Sequence, residues 1–247
     1  MFGLYSFERR FTYMSFNKKI LVGKTITPSC KNALEKMGYD VVLLPPFSKM
    51  QKGVSTHADM LLFYDGEKII TSNEYWRENK NLFDFLDVET ITTNEPMEKE
   101  YPNDILFNAV LTSDKILFSK NAYTSFYIKS IAKKQVNVNQ GYTACSTCRV
   151  SDKAFITTDV GLHKAYIDNG IGSILISNEG IDLPGYSSCG FIGGATVVLD
   201  EYVCFFGKIE NHPEYTKIKS FVEANNKKVH SLSQEKLTDI GGAVVLF

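Results

Sequence analysis

Lys19-Ile20-Leu21-Val22-Gly23 is the first of five short apolar segments that recur along the chain in a similar context. The other four are Lys68-Ile69-Ile70-Thr71-Ser72, Lys115-Ile116-Leu117-Phe118-Ser119, Lys153-Ala154-Phe155-Ile156-Thr157 and Tyr202-Val203-Cys204-Phe205-Phe206. Their first residues are 49, 47, 38 and 49 positions apart. Repeats of this length indicate an array of similar structural units, such as a solenoid or a propeller.

Each repeat is predicted to contain an opening strand, a turn, the quoted second strand, a helix and a closing strand. In the first repeat a helix over 29–37 would begin at Ser29 as N-cap and end at Gly38, a residue suited to a left-handed cap. The closing strand over 41–44 is continuously apolar, which is typical of a strand buried on both faces. The third repeat, with its helix inside 123–134, has the weakest pattern.

The two ends of the chain complete each other in this scheme. The first repeat lacks an opening strand, and the chain ends with an unpaired one at 242–247. Pairing them would close the array and remove exposed sheet edges. The predicted fold class is therefore α/β, a five-bladed ββαβ ring (an α/β propeller) closed by the two termini, with 17–247 as one domain. Residues 1–16 are predicted to be an N-terminal extension, disordered in one interpretation, with Met14 as an alternative start.

Composition narrows the possible partners. The formal net charge is −1 and no Lys/Arg cluster forms a basic face, so nucleic acid is not expected as a partner. No apolar run approaches the roughly eighteen residues of a membrane span, and the first residues lack the apolar core of a signal peptide. Five cysteines, an odd number, favour reduced thiols in the cytoplasm. The oligomeric state is left open.

In a ring of such blades the opening segments face the axis, so their side chains are expected to meet in one cavity. The segments are His57-Ala58-Asp59-Met60, Asn103-Asp104-Ile105-Leu106, Cys145-Ser146-Thr147-Cys148, Gly193-Gly194-Ala195-Thr196 and Asp239-Ile240-Gly241-Gly242. On a strand, His57 and Asp59 would share a face, and Cys145 and Cys148 would not. A histidine, carboxylates and a thiol in one cavity could perform nucleophilic catalysis on a cationic substrate.

These residues also have other interpretations. Cys145 and Cys148 could form a redox or zinc pair, although zinc normally requires a second pair of ligands. Cys189, in a loop before an opening segment, is a rival nucleophile. Asp239 could serve only as a cap or turn residue. The Gly-Gly pairs could simply allow close backbone approach near the axis.

The ring and the order of its polar segments resemble the pentein fold of arginine deiminases, amidinotransferases and dimethylarginine hydrolases. In those enzymes a Gly-Gly motif with acidic neighbours, a His-x-Asp strand, one intervening blade and the catalytic cysteine follow in that cyclic order. Here the order is matched by Asp239 with Gly241-Gly242, by His57-x-Asp59 and by Cys145. Two features depart from the family: the C-terminus has no cysteine, and Ala243 replaces the acid after the Gly-Gly motif.

The resemblance implies a cysteine-dependent hydrolase or amidinotransferase that acts on a guanidine- or amidine-containing small molecule through a thiouronium-type intermediate. It implies Cys145 as nucleophile, His57 as proton carrier, and Asp59 and Asp239 as a carboxylate clamp, with Asp104 as a further substrate-binding candidate. No metal and no cofactor are expected. The alternative is a non-catalytic ring that binds the ribosome or a protein partner, as a ribosome-binding initiation factor with the same ring does.

Overall fold

Five three-stranded sheets account for the strands of the computed structural model, which describes residues 18–121 and 123–246. The strands are β1 Lys19–Gly23, β2 Asp40–Leu44, β3 Leu62–Tyr64, β4 Ile69–Ser72, β5 Thr90–Thr93, β6 Val110–Leu111, β7 Lys115–Ser119, β8 Lys134–Val138, β9 Thr147–Ser151, β10 Ala154–Thr157, β11 Gly172–Leu175, β12 Thr196–Val198, β13 Tyr202–Phe205, β14 Lys228–Ser231 and β15 Ala243–Leu246. The helices are α1 Pro28–Lys36, α2 Ala58–Leu61, α3 Asn73–Glu78, α4 Lys80–Leu86, α5 Phe126–Ser130, α6 Val160–Asp168 and α7 Tyr215–Ala224. The extension predicted over 1–16, including Met14, lies outside the described residues.

All five sheets have the same topology. The middle strand pairs antiparallel with the opening strand and parallel with the closing strand, as in β9-β10-β11 and β12-β13-β14. In the first sheet the opening strand is β15, which pairs antiparallel with β1, so that Leu21 lies opposite Val244. The ββαβ order and the pairing of the two chain ends therefore agree with the sequence pattern, while closure of the five sheets into one ring stays a prediction.

Capping side chains start several of the helices that follow the middle strands. Ser72, the last residue of β4, accepts a hydrogen bond from Tyr75 N at 3.1 Å, and Asp159 accepts one from Leu162 N at 2.7 Å. In the first repeat the N-cap is Thr27, whose hydroxyl accepts from Cys30 N at 3.4 Å. The prediction of Ser29 as N-cap was wrong, because Pro28 takes the first helical position, where its missing N–H costs nothing.

The core lies between the helices and the sheets. The middle strands are almost wholly buried, and each longer helix turns a few apolar side chains onto them, such as Leu34 of α1 and Ile218 of α7. A helix that packs on one side needs apolar residues only along that side. A middle strand is covered on both faces and is therefore apolar at most positions. No helix within 18–121 and 123–246 is long and apolar enough to cross a membrane.

The opening segments differ from the prediction that they are strands. His57 is the N-cap of α2, and Asp59 lies inside this single helical turn, so the argument that they share a strand face was wrong. Cys145 lies in a turn, and only from Thr147 does β9 begin. A short apolar run is compatible with either a strand or a helical turn, and the sequence pattern does not separate the two. These turns, rather than strands, present the polar side chains.

Candidate functional site

The turns that precede the opening strands are joined to one another by backbone hydrogen bonds. Asp59 N donates to Gly241 O at 3.2 Å, and Gly194 N donates to Cys145 O at 3.0 Å. Gly242 N donates to Gly194 O at 2.8 Å, which joins the fifth repeat to the C-terminal segment. The predicted residues His57, Asp59, Cys145 and Asp239 are thus brought to one region by main-chain contacts.

Two of the site glycines are required by this close approach. A Cβ added to Gly194 would lie 1.9 Å from Asp239 Oδ1, far inside any real contact distance. Gly241 has φ +81°, and its Cβ would lie 2.2 Å from the Cβ of His57. The interpretation of the Gly-Gly pairs as sites of tight backbone packing is therefore supported at both positions.

Asp239 and His57 form a buried pair, and burial favours the uncharged form of both side chains. The Asp239 carboxylate accepts hydrogen bonds from Phe191 N at 2.8 Å and from Gly241 N at 3.0 Å. Burial nevertheless raises the pKa of Asp239 to about 6 and lowers the pKa of His57 to about 4. His57 Nδ1 lies 3.9 Å from Asp239 Oδ1, too far for a hydrogen bond. Desolvation thus outweighs their attraction, and His57 is neutral at pH 7.

Cys145 is the buried thiol of this region, with 4% of its surface exposed. Its Sγ accepts a hydrogen bond from Asn108 Nδ2 at 3.0 Å, and it also interacts with the Asp59 carboxylate. Burial, and then the neighbouring charges of Asp59 and Asp239, raise the pKa of the thiol well above its usual value. Without a bound ligand the site therefore holds Cys145 as a thiol and not as a thiolate.

Asp59 interacts with the Cys145 thiol and also borders a cavity. Burial is the larger cause that raises its pKa, and the charge of Asp239 is the next. Its Oδ1 is buried and has no hydrogen-bond partner among the described residues. The residue keeps some exposed surface because it borders a cavity of about 430 Å³, which the opening strands also line. An unpartnered carboxylate oxygen in such a place is a strong acceptor for a cationic donor.

Asp104, the further substrate-binding candidate, stands apart from the cluster around Cys145. Its Oδ2 accepts a hydrogen bond from Tyr142 Oη at 2.8 Å, and its buried Oδ1 has no partner among the described residues. Burial raises the pKa of Asp104. Tyr142 belongs to the same turn as Cys145 and stacks on Phe191, with ring centroids 5.9 Å apart. Asp104 is therefore linked to the turn that carries Cys145 through this aromatic side chain.

The other cysteines do not share the surroundings of Cys145. Cys148 lies in β9 and packs into a different part of the core, where burial raises its pKa to about 12. Both thiols are free, as is exposed Cys189. Within the described part of the chain, no group of three or more His, Cys, Asp or Glu side chains has an arrangement that could hold a metal ion.

Asn108 was missed by the sequence analysis, although it contacts the thiol directly. It is buried in the third repeat, at the end of the turn that leads into β6. The predicted opening segment, 103–106, was placed too early in that repeat. The signal was available: Cys145 lies eight residues before Lys153, and Asn108 lies seven residues before the equivalent Lys115.

The raised pKa of Asp239 leads to a prediction for the variant Asp239→Asn. A carboxyl group that binds its proton more tightly in the folded state adds stability below pH 4, and this is lost as the pH rises through about 6. Relative to the parent, the variant should therefore lose about 2–3 kcal/mol more stability at pH 4 than at pH 7.5. Urea unfolding at both pH values measures this difference. Exposed Asp84→Asn is the control, and an equal pH dependence in the two variants would contradict the prediction.

Solved structures of guanidino-modifying enzymes share this fold. The DDAH (dimethylarginine dimethylaminohydrolase) of Pseudomonas aeruginosa, solved as a Cys-to-Ser variant with citrulline, is 12% identical with a TM-score of 0.55, covering 93% of this chain and 98% of that one. SxtG, an amidinotransferase of Microseira wollei in saxitoxin biosynthesis, is 9% identical with a TM-score of 0.57, covering 88% and 89%. The agmatine deiminase of C. jejuni is 8% identical with a TM-score of 0.54, covering 92% and 80%.

Sequence comparison places the chain in a family as well. No curated protein is detectably similar to it in sequence. The sequence model of DUF6873, described as a family of unknown function, matches residues 21–244, almost the whole length of the chain. The chain therefore has the pentein fold and belongs to the family DUF6873.

Proposed function

We propose that this protein is a cysteine-dependent hydrolase or amidinotransferase that acts on a small molecule carrying a guanidine or amidine group. The observation that carries the proposal is the buried thiol of Cys145 beside the carboxylates of Asp59 and Asp239, with one oxygen of Asp59 unpartnered. The pentein fold supports it, since the similar structures include a dimethylarginine hydrolase, an amidinotransferase and a deiminase.

The electrostatics of the site favour a cationic ligand. Burial is the larger cause that raises the pKa of Cys145 and of Asp59, and neighbouring charges add to it: those of Asp59 and Asp239 at Cys145, and that of Asp239 at Asp59. A guanidinium bound between the carboxylates reverses these effects, because a nearby positive charge stabilises every anion in the cluster. Its planar array of N–H donors also suits a carboxylate with a free oxygen. Binding of the substrate itself would thus assist formation of the thiolate.

The chemistry that follows needs one nucleophile and one proton carrier. The Cys145 thiolate adds to the guanidinium carbon, the C–N bond to the leaving amine breaks, and the amine departs with a proton. Attack by water on the resulting thiouronium-type carbon releases a ureido product and restores the thiol. Attack by an amine releases a new guanidine instead. The site residues are the same for both acceptors.

His57 is the proposed proton carrier. It is neutral at pH 7 because burial lowers its pKa to about 4, so it can accept the proton of the Cys145 thiol and later deliver it to the leaving amine. Asp239 lies beside the ring and would stabilise the transient imidazolium. A histidine that was already protonated could not take the first of these steps.

We also infer that the five sheets form one closed ring over residues 17–247, with the site on its axis. Contacts between successive repeats support this arrangement. Asn108 Nδ2 contacts Asp59 O and Cys145 Sγ, and Gly194 N contacts Cys145 O. Gly242 N then contacts Gly194 O, and Asp59 N contacts Gly241 O, which returns to the second repeat. The free thiols of the described chain suit a reducing compartment such as the cytoplasm.

Thermal unfolding with small cations tests the proposed function. Compounds that carry a guanidinium, such as arginine and agmatine, should stabilise the protein increasingly as their concentration rises, and a matching primary amine should stabilise it less. The variant Asp59→Asn should lose this stabilisation because it removes the negative charge of the carboxylate whose Oδ1 has no hydrogen-bond partner among the described residues. Exposed Asp84→Asn should retain it. No response to any guanidine or amidine would reject the proposal and favour the alternative, a non-catalytic ring that binds the ribosome or another protein.

A further inference from the structure

We propose that Asn108 is the residue that holds the Cys145 sulfur in position and stabilises its thiolate through a side-chain N–H donor. The amide of Asn108 Nδ2 lies 3.0 Å from Cys145 Sγ and 3.1 Å from Asp59 O. Asn108 itself has only 2% of its surface exposed. The role in turnover rests on the function proposed above, whereas the effect on the thiol does not.

The orientation of the amide follows from its partners. Asn108 Oδ1 lies 2.7 Å from Ala144 N and 3.4 Å from Cys145 N, and both of these backbone groups can only donate. The oxygen must therefore face the backbone of this turn, and the Nδ2 group must face the sulfur and Asp59 O. A flipped amide would place donors against donors at one end and an oxygen against a carbonyl oxygen at the other.

This arrangement ties the nucleophile to the proposed clamp. One NH₂ group contacts both the sulfur of Cys145 and the main chain of Asp59, so this amide helps to fix the separation of the thiol and the carboxylate, which also interact directly. The oxygen of the same amide holds the turn that carries Cys145. Asn108 can thus set the position of the reacting atom without taking part in bond formation.

The hydrogen bond from Asn108 also changes the pKa of the Cys145 thiol, in the opposite direction to burial and the two carboxylates. Burial and two carboxylates favour the protonated form of Cys145, while the hydrogen bond from Asn108 lowers the pKa of the thiol. An amide suits this task because it is neutral. A lysine or arginine at this position would stabilise the thiolate too, but it would pair with Asp59 and compete with a cationic substrate. The neutral donor leaves the clamp free.

The test measures the reactivity of Cys145 with iodoacetamide, a small neutral reagent that needs no guanidine recognition. The variants are Asn108→Ala, which loses both the donor and the acceptor without adding charge, and Asn108→Asp, which keeps the acceptor for Ala144 N, loses the donor and adds a negative charge beside the thiol. In a Cys189→Ser background, fragmentation spectra of the tryptic peptide 135–149 separate Cys145 from Cys148. At pH 8 both variants should be alkylated roughly tenfold more slowly or worse, with the pH–rate profile shifted to higher pH.

Val222→Ala, which opens a cavity in another part of the core, is the matched control for lost stability. It should leave the pH–rate profile of Cys145 unchanged. A profile equal to that of the parent in folded Asn108→Asp or Asn108→Ala would overturn the proposal. If the protein turns over no guanidine and yet these variants shift the profile, the assignment of Asn108 stands and the proposed function fails.

A second measurement uses the parent Asn108 side chain and does not depend on the Asn108 variants folding. The side-chain ¹⁵N–¹H signals of Asn108 should move as Cys145 is titrated, because the donor contacts the sulfur directly. In Cys145→Ala the same signals should lose that pH dependence. Signals that respond identically in the two proteins would show that the amide does not sense the thiol, and would likewise overturn the assignment.

Discussion

Replacing Cys145 with serine is expected to reduce turnover of a guanidine substrate by about a thousandfold or more, while the protein stays folded. The change removes the only group that the proposed mechanism uses to attack the substrate carbon, and a serine hydroxyl beside two carboxylates ionises far less readily than a thiol. Ammonia or amine release from substrate measures turnover. Mass spectrometry after treatment with a small haloacetamidine, which couples a cation to an alkylating carbon, measures covalent capture.

Two other cysteines provide matched controls for this experiment. Cys148→Ser makes the same chemical change three residues later, in a strand that packs into a different part of the core. Cys189→Ser tests the rival nucleophile in its exposed loop. Both variants should keep capture at Cys145 and most of the turnover. Equal capture in Cys145→Ser and the parent, or loss of activity in Cys189→Ser, would move the nucleophile elsewhere.

The repeat was readable from the sequence because the middle strands are buried on both faces. Segments such as 19–23 and 115–119 are apolar almost throughout, and the structure places β1 and β7 at those residues. The orphan C-terminal segment was also identified correctly, since β15 pairs with β1. Burial on both faces favours apolar residues, apart from small hydroxyl side chains such as Thr71 and Ser119, so the pattern survives even where loop lengths differ between repeats.

The conformation of the site residues was harder to predict from the sequence, because these residues lie in turns and not in strands. The sequence of residues 57–60 is equally compatible with a strand, but in the structure they form an N-cap and most of the single helical turn α2. A long-range contact contributes to this conformation, because Asp59 N donates a hydrogen bond to Gly241 O, which lies far away in the sequence. Asn108 illustrates the same point. Its role depends on contacts with Asp59 and Cys145 in two neighbouring repeats, and within its own repeat only its spacing before Lys115 points to it.

The expected effect of Gly194→Ala is the loss of roughly 3 kcal/mol or more of folding free energy, enough to unfold a protein of ordinary stability. The new Cβ would lie 1.9 Å from Asp239 Oδ1 and 2.5 Å from its Cγ. Neither Gly194 nor the Asp239 side chain can move away easily, because hydrogen bonds hold both. Gly194 N is bonded to Cys145 O, and Asp239 is held by Phe191 N and Gly241 N.

A double-mutant cycle separates this crowding from a general intolerance of alanine. Gly38→Ala is the control for backbone strain, since Gly38 has φ +90° and open space around its Cβ position, and it should cost only about 1–2 kcal/mol. Adding Asp239→Ala to Gly194→Ala removes the atoms that a new Cβ would strike. The double variant should therefore be more stable than the sum of the two single changes allows, as measured by urea unfolding. Additive losses would mean that Gly194 is not packed against the Asp239 carboxylate, and the proposed arrangement of the clamp would fail with it.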